Sequence, residues 1–387
     1  MLLYWLELKK QLSSVAVWGF IAVCLLFNIY LVISNPGDKY ADFVGVASND
    51  IGYILGQSFH EKLSRFTASG EQVEYLEQLK SQTYDVTDVF DDYETKDIGE
   101  SYIAAIGATG HFAENMRDKY SALQKVVDEK AANDESLTLY FAGATYNQHQ
   151  QLFNGLMGCL LIEGILVAVL LVLLSVGYEN NHRTEDIVYS TKTGRHILCT
   201  KITASISAGL GAYALLALFT FLFYFSVNEY GSIWGSSVSS VFNYRYDFIA
   251  GYRPFVTWCS FSVLTYFLAT LGMSAGVILC FSLMAFSIGV LIRNNYIGFL
   301  VLVAINAFLV VFPLQIPNTL PMTRLYAIYY SMLSPVWLWL KHSIWFTDGD
   351  ANILWPHFET LGFCVSILLL TVLCTFATIY FRKRNLT

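Results

Sequence analysis

Charge is scarce in this sequence. Of its 387 residues only 14% are Asp, Glu, Lys or Arg, where a water-soluble domain carries about 25%. Proline is scarcer still, with seven in the chain, so long apolar runs go unbroken. Together with a 55% hydrophobic content and a mean hydropathy of +0.48, these shortages exclude an ordinary soluble multidomain protein. A basic surplus is also missing: the net charge is −7, against the concentrated positive surface of a nucleic-acid binder. None of the seven cysteines (Cys24, Cys159, Cys199, Cys259, Cys280, Cys364, Cys374) falls within 35–150, so that polar stretch has no disulfide framework.

Catalytic motifs are absent as well. His60-Glu61 continues as Lys-Leu-Ser, without the second histidine of a zinc protease, and Gly231-Ser-Ile-Trp-Gly235 has the wrong spacing for a nucleophile elbow. There is no CxxC pair or Cys/His cluster for a metal. Without a GxxxxGK[ST] loop, ATP chemistry would have to come from another polypeptide.

What the sequence has is apolar length. A helix needs about 20 apolar residues to cross a bilayer, and six windows qualify: Leu12–Ile33, Leu152–Val176, Ile202–Val227, Pro254–Ile292, Tyr296–Pro313 and Thr360–Phe381. The first is too long for a signal peptide and reads as a retained anchor. The fourth would make about 58 Å of helix, and we read it as one span preceded by an interfacial stretch, Pro254 to Trp258. The short aromatic run Leu325–Leu340, interrupted by Pro335, reads as a re-entrant or interfacial hairpin.

Lys and Arg orient the spans. Lys9 and Lys10 precede the first, Arg382, Lys383 and Arg384 follow the last, and Arg183, Lys192, Arg195, Lys201 and Arg293 lie at ends on the same side. Both termini are then cytoplasmic. Residues 35–150 hold 20 acidic and 9 basic residues, marking them as the translocated segment. The expected fold is an all-α polytopic membrane protein with six transmembrane helices and a mostly α-helical extracellular domain between the first two. Its parts are an interfacial elbow helix (1–12), span one (13–34), the extracellular domain (35–150), span two (152–177), a cytoplasmic loop (178–201), span three (202–227), an outer loop (228–258), span four (259–292), span five (296–313), the outer hairpin (314–359), span six (360–381) and a cytoplasmic tail (382–387).

Within 35–150, Val73, Leu76 and Leu79 predict one helix over 70–83. Phe112, Met116, Tyr120, Leu123 and Val127 predict a longer one that Asn133-Asp134 breaks. Leu137–Phe141 could form a short strand, and from Tyr146 a helix should run into span two. Trp234, Tyr244, Tyr246, Tyr252, Trp258, Trp337, Trp339 and Trp345 read as an aromatic belt at the outer interface.

The loop between spans two and three runs Tyr178-Glu179-Asn180-Asn181-His182-Arg183-Thr184-Glu185-Asp186-Ile187-Val188-Tyr189-Ser190-Thr191-Lys192-Thr193-Gly194-Arg195. It reads as a short helix, capped by Asn181 or Thr184 and favoured by acids at its N-terminus, followed by a break at Gly194 and basic residues at the lipid headgroups. This loop, together with the elbow helix, the outer domain and the Pro335 hairpin, resembles the permease subunits of the ABC type-2 exporter family.

The resemblance implies a coupling helix in which Glu179, Thr184, Glu185, Ile187, Val188, Tyr189, Gly194 and Arg195 meet cytoplasmic ABC ATPase subunits. It also implies pairing with a second permease copy or a homologous permease, in a bacterial cell membrane. No catalytic residue or cofactor would belong to this chain, since ATP and Mg would sit on the partner ATPase. The cargo would be amphipathic, either an antimicrobial or other peptide or a lipid-like molecule. Inside the spans, Glu163 is a candidate cavity residue or a paired helix contact, because a carboxylate at that depth needs a partner, water or a proton. Asn306 is a candidate cavity contact or an interhelical hydrogen bond. The alternative reading is a six-span receptor or sensor whose outer domain binds a ligand.

Overall fold

The computed structural model describes residues 2–140, 145–190, 194–292, 294–317 and 319–383. In chain order its elements are α1 (Leu2–Leu12), α2 (Val15–Ser34), α3 (Lys39–Ile51), α4 (Gln57–Arg65), α5 (Gln72–Thr83), α6 (Lys96–Ile106), α7 (His111–Ala132) and α8 (Thr145–His149). A π-helical segment (Gln150–Leu156) leads into α9 (Met157–Val176), then α10 (Tyr178–Asn181), α11 (Glu185–Tyr189) and α12 (Ile197–Val227). A hairpin of β1 (Tyr244–Asp247) and β2 (Gly251–Pro254) precedes α13 (Val263–Ile292), α14 (Asn295–Gln315), α15 (Pro321–Ser331), α16 (Pro335–Leu340) and α17 (Phe358–Lys383).

Six helices among the described residues are long and apolar enough to cross a membrane: α2, the continuous Asn147–Val176 run, α12, α13, α14 and α17. This is an all-α polytopic arrangement. In the Asn147–Val176 run and in α13, 72% of the apolar window is buried, against 28% in α2 and 22% in α14 and α17. The bundle is therefore built round α9 and α13. Small residues let α12 approach that centre, since a Cβ at Gly209 would lie 2.9 Å from the Cβ of Ala168. Asn294 accepts hydrogen bonds from the backbone N–H groups of Tyr296 and Ile297 and so starts α14 directly after α13.

The three connections at one end of the bundle fold together. The sequence treats residues 35–150 as a domain of their own, but the core they share is wider. Phe90, Tyr102, Phe112, Met116, Tyr120 and Leu123 pack in one apolar cluster with Val256 and Trp258 from the α12–α13 connection. Leu325, Tyr329, Ala351 and Leu354 from the α14–α17 connection complete it. The ring of Phe112 lies 4.5 Å from Tyr326 and 5.0 Å from Tyr329. Glu135, beyond the end of α7, accepts from Ser237 at 2.8 Å, from Ser260 at 2.6 Å and from the buried Lys130 at 2.6 Å. The helices expected at 70–83 and through Val127 are α5 and α7, and Asp134 at φ 49° ends the latter. In place of a strand over 137–141 there is a single bridge, Ile54 to Thr138; Phe141 lies outside the described residues.

An ion cluster organises this unit. The β1–β2 register sets Arg245 opposite Arg253 and Tyr246 opposite Tyr252. Strand alternation then puts both arginines on one face and both tyrosines on the other. Like charges opposite each other repel, and here a buried carboxylate divides them. Arg245 Nη2 reaches Asp348 Oδ1 at 2.7 Å, and Arg253 Nη1 pairs with Asp348 Oδ2. Arg253 Nη2 also donates to the carbonyl of Gly349 at 2.7 Å. Gly349 has φ +74°, and a Cβ there would sit 2.9 Å from that of Ile353, so only glycine supplies this carbonyl without strain. Lys119 is buried alongside and donates to the Ile353 carbonyl at 2.8 Å.

Two expectations are corrected. Pro254–Trp258 is not an interfacial stretch: Pro254 closes β2, and Phe255, Val256, Thr257 and Trp258 run buried beneath the unit before α13 begins at Val263. The aromatic belt also loses members, because Trp345 is fully buried and donates to the Leu338 carbonyl at 3.1 Å. Trp258 likewise belongs to the shared core. The hairpin around Pro335 is two helices, of which α16 wedges among α9, α13, α14 and α17.

Replacing Asp348 with Ala should leave two guanidinium groups facing each other without a counter-ion and cost about 3–5 kcal/mol. It would be read as faster proteolysis of 35–140 and a lower melting temperature. Burial pulls the Lys119 amine down to about 8 from its ordinary 10.5. Between those values the unfolded chain holds a proton that the folded one has released, so stability rises with pH and falls away as pH drops through 8. Comparing pH 7.5 with pH 9, wild type should gain up to ~1.4 kcal/mol per unit, and the Lys119→Met chain should lose that slope.

Candidate functional site

The connection from α9 to α12 is where the sequence concentrates its functional residues. Gly177 ends α9, α10 makes one turn, and Arg183 takes φ 55°. The Thr184 N–H then donates to the carbonyl of Glu179 at 2.9 Å, which fixes where α11 starts. Val188 N–H closes onto the Thr184 carbonyl at 3.0 Å, and Ser190 Oγ closes the end by donating to the Ile187 carbonyl at 2.9 Å.

Under this connection lies a closed cluster of four charges. Lys201 is fully buried, with Nζ 2.8 Å from Glu179 Oε2 and 3.3 Å from Glu7 Oε2. It also donates to the Ser175 carbonyl at 2.5 Å. Lys10 Nζ lies 2.6 Å from Glu7 Oε1 and 3.8 Å from Glu179 Oε1, and sits 4.7 Å above the Tyr178 ring. The Tyr178 ring in turn stacks on His182 at 4.2 Å. Two cations and two carboxylates thus join α1, the end of α9, α10 and the start of α12. Gln11 extends the weld by donating to Ser205 Oγ at 3.0 Å.

The first helix fits this arrangement in an inverted way. α1 buries Glu7 and Gln11 while Leu2, Trp5, Leu6 and Leu12 are exposed. Its polar face meets the protein and its apolar face is left outward, as suits an element lying in a membrane interface.

The structure distributes the expected coupling residues unevenly. Ile187 is 70% exposed. Thr184, Glu185, Val188 and Tyr189 are half-buried, and the Tyr189 ring packs edge-on against Phe381 of α17 at 5.4 Å. Gly194 takes φ +49°, the left-handed conformation expected of a break. Lys192 and the side chain of Arg195 lie outside the described residues. Glu179 is corrected: it is 1% exposed and bound within the chain, so it anchors the connection from below and offers nothing to a partner. Lys201 is not at a headgroup but inside α12, because that helix starts at Ile197. The sequence carried a signal for this, since a lysine in an apolar helix needs buried carboxylates. Only the fold says that these are Glu7 and Glu179.

The two intramembrane residues do not share a site. Glu163 is buried between α2 and α12, where its Oε2 accepts from Asn28 Nδ2 at 2.9 Å, and the same Nδ2 lies 3.0 Å from Thr220 Oγ1. Asn306 donates to the Leu302 carbonyl at 2.8 Å and approaches Met284 Sδ at 3.4 Å. It lines an apolar cavity of about 480 Å3 that also touches Leu166, Phe281, Val310 and Trp339. Glu163 is thus a three-helix hydrogen-bonded contact, and Asn306 is held by its own helix.

Compared with known proteins, the chain matches no family model, no curated protein and no solved structure.

Lys201→Met should strand two buried carboxylates with one half-exposed lysine and destabilise the purified chain by about 3–5 kcal/mol. The melting temperature reads this, and adding Glu7→Gln and Glu179→Gln should restore much of the loss. Glu163→Gln keeps an acceptor for Asn28 and should shift stability by less than about 1 kcal/mol.

Proposed function

We propose that this chain is the membrane-spanning permease subunit of an ATP-driven exporter. Separate cytoplasmic ABC ATPase subunits would dock on the α9–α12 connection, and a second permease copy or a homologous permease would complete the pathway. The observation that carries this reading is the mounting of α11. A short helix exposes Ile187 at its crest and rests on a buried four-charge weld joining α1, α9 and α12. Such a helix is suited to insert into a partner's groove, and its rigid mounting suits it to pass a push into two spans at once. The pattern Glu179, Thr184-Glu185, Val188-Tyr189-Ser190-Thr191 and Gly194-Arg195 supports the same family. In this reading Ile187, with the exposed parts of Glu185 and Val188, meets the ATPase, while Tyr189 serves partly to hold α11 on α17.

In this reading the connection and both termini lie in the cytoplasm of a bacterial cell and the acidic three-segment unit lies outside it, a sidedness that the Lys/Arg bias at the span ends supports. ATP and Mg would be bound by the partner. The cargo would be an amphipathic peptide or lipid-like molecule.

The test is co-expression with soluble P-loop ATPase subunits taken from the same genome. Wild type should retain the ATPase through membrane extraction and purification. Ile187→Asp should insert and melt as wild type does, since the side chain touches solvent, yet retain at least tenfold less ATPase. Undiminished retention by Ile187→Asp would overturn the docking assignment. The chain purified alone should hydrolyse no ATP.

A further inference from the structure

The second span does not enter the bundle as a plain α-helix. Its outer end, Gln150–Leu156, is π-helical, a rare geometry that is found mostly as single turns at functional sites. Segments of this kind are also among the few places where helices bend sharply. Gly155 lies within it, although a Cβ there would meet only the Gln150 carbonyl, at 3.6 Å. Packing therefore does not require glycine at 155, and its effect is to loosen the helix where it stands. From Met157 onward α9 is ordinary helix and mostly buried. The π-helical segment thus joins a firmly packed rod to the connections gathered at its outer end.

Two contacts hold this segment from neighbouring elements. Gln151 Nε2 donates to the carbonyl of Asn35, just past α2, at 2.6 Å. His342, in the turn after α16, reaches it from the α14–α17 connection. Its Nε2 lies 3.2 Å from the Asn154 carbonyl, and its Nδ1 lies 3.1 Å from the Trp339 carbonyl near the end of α16. The ring rests in a notch that a glycine makes, since a Cβ at Gly158 would fall 2.7 Å from Nε2 and 2.9 Å from Cε1. Gly158, unlike Gly155, is required by what lies on it. Burial pushes the imidazole below its ordinary 6.5, so at neutral pH the ring has one N–H and two carbonyls facing it. The bond to Asn154 can therefore be given up to Trp339 when the proton passes from Nε2 to Nδ1, without the ring leaving its notch.

We propose that Gln150–Leu156 is a hinge in the second span and that His342 is the clasp that fixes it. With the Nε2 proton on the Asn154 carbonyl, the segment is tied to α16 and the bundle and outer unit hold one arrangement. With that bond released, α9 tilts or slides at the π-helical turn while the outer unit stays fastened by Asp348 between Arg245 and Arg253. The two glycines divide the work: Gly155 supplies the compliance and Gly158 seats the ring that restrains it. The hinge stands on this geometry alone. Its use in transport rests on the exporter reading, in which a push on α11 displaces α9 and is taken up here.

The experiment is amide hydrogen exchange, read by mass spectrometry on the full chain in lipid nanodiscs without any ATPase. In His342→Ala the amides of 151–158 should exchange at least about tenfold faster than in wild type, and those of 162–176 at an unchanged rate. Gly158→Ala keeps the imidazole but denies it the notch, and should reproduce that local acceleration. The double variant should exchange no faster than the faster of the two. Gly155→Ala should act in the opposite direction and slow exchange at 151–158 about threefold, which a contact of merely structural weight would not predict. Wild-type exchange in either clasp variant, acceleration that reaches evenly to Val176, a double variant faster than both, or a Gly155→Ala chain no slower than wild type would overturn the proposal. ATPase retention is not read here, so failure of the docking assignment and failure of the hinge are separate results.

Discussion

A lysine fully withdrawn from water beneath an apolar bundle is the constraint around which one end of this molecule is arranged. An isolated ammonium there is prohibitively unfavourable, and the cost is met only by carboxylates held at hydrogen-bonding distance. Lys201 obtains two, from Glu7 of α1, eight positions before the first span begins at Val15, and from Glu179 just past the end of α9. Satisfying one charge therefore dictates where α1 lies, where α9 ends and how α12 begins. The short helix α11 inherits its position from the same cluster, through the hydrogen bond from Thr184 to the Glu179 carbonyl.

The opposite end uses the same physics with the signs exchanged. Asp348 sits between Arg245 and Arg253, which the hairpin register brings face to face. The carboxylate comes from the α14–α17 connection and the arginines from the α12–α13 connection. Lys119 of α7 joins them through the Ile353 carbonyl. Three connections that are far apart in sequence are thereby fastened into one unit above the bundle. Both charge clusters are specific as to partner as well as stabilising, because removing one member leaves the others buried and unpaired.

The sequence was most legible where a single long-range rule applies. Apolar length alone marks the six spans, and three- and four-residue spacing marks α5 and α7. It was least legible where a residue's meaning depends on something far away in the chain. Glu179 looks like part of an exposed loop until Lys201 and Glu7 are brought to it. Arg245, Arg253 and Asp348 carried no local signal, since 103 residues separate Arg245 from its carboxylate. Pro254–Trp258 has the composition of an interfacial stretch, yet it is buried because three connections converge above it. Trp345 has the same apolar body and polar N–H as a belt residue, and only the Leu338 carbonyl beside it decides otherwise.

The central claim is that α1, α9, α10 and α12 move as one block because Lys201 is shared between Glu7 and Glu179. The direct measurement is the distance distribution between spin labels at Leu3 and Ser190, recorded by pulsed electron resonance in a background whose native cysteines are replaced. Wild type should give one narrow distribution, and Lys201→Met should give a broad one of unchanged labelling efficiency. An equally narrow distribution in Lys201→Met would contradict the account.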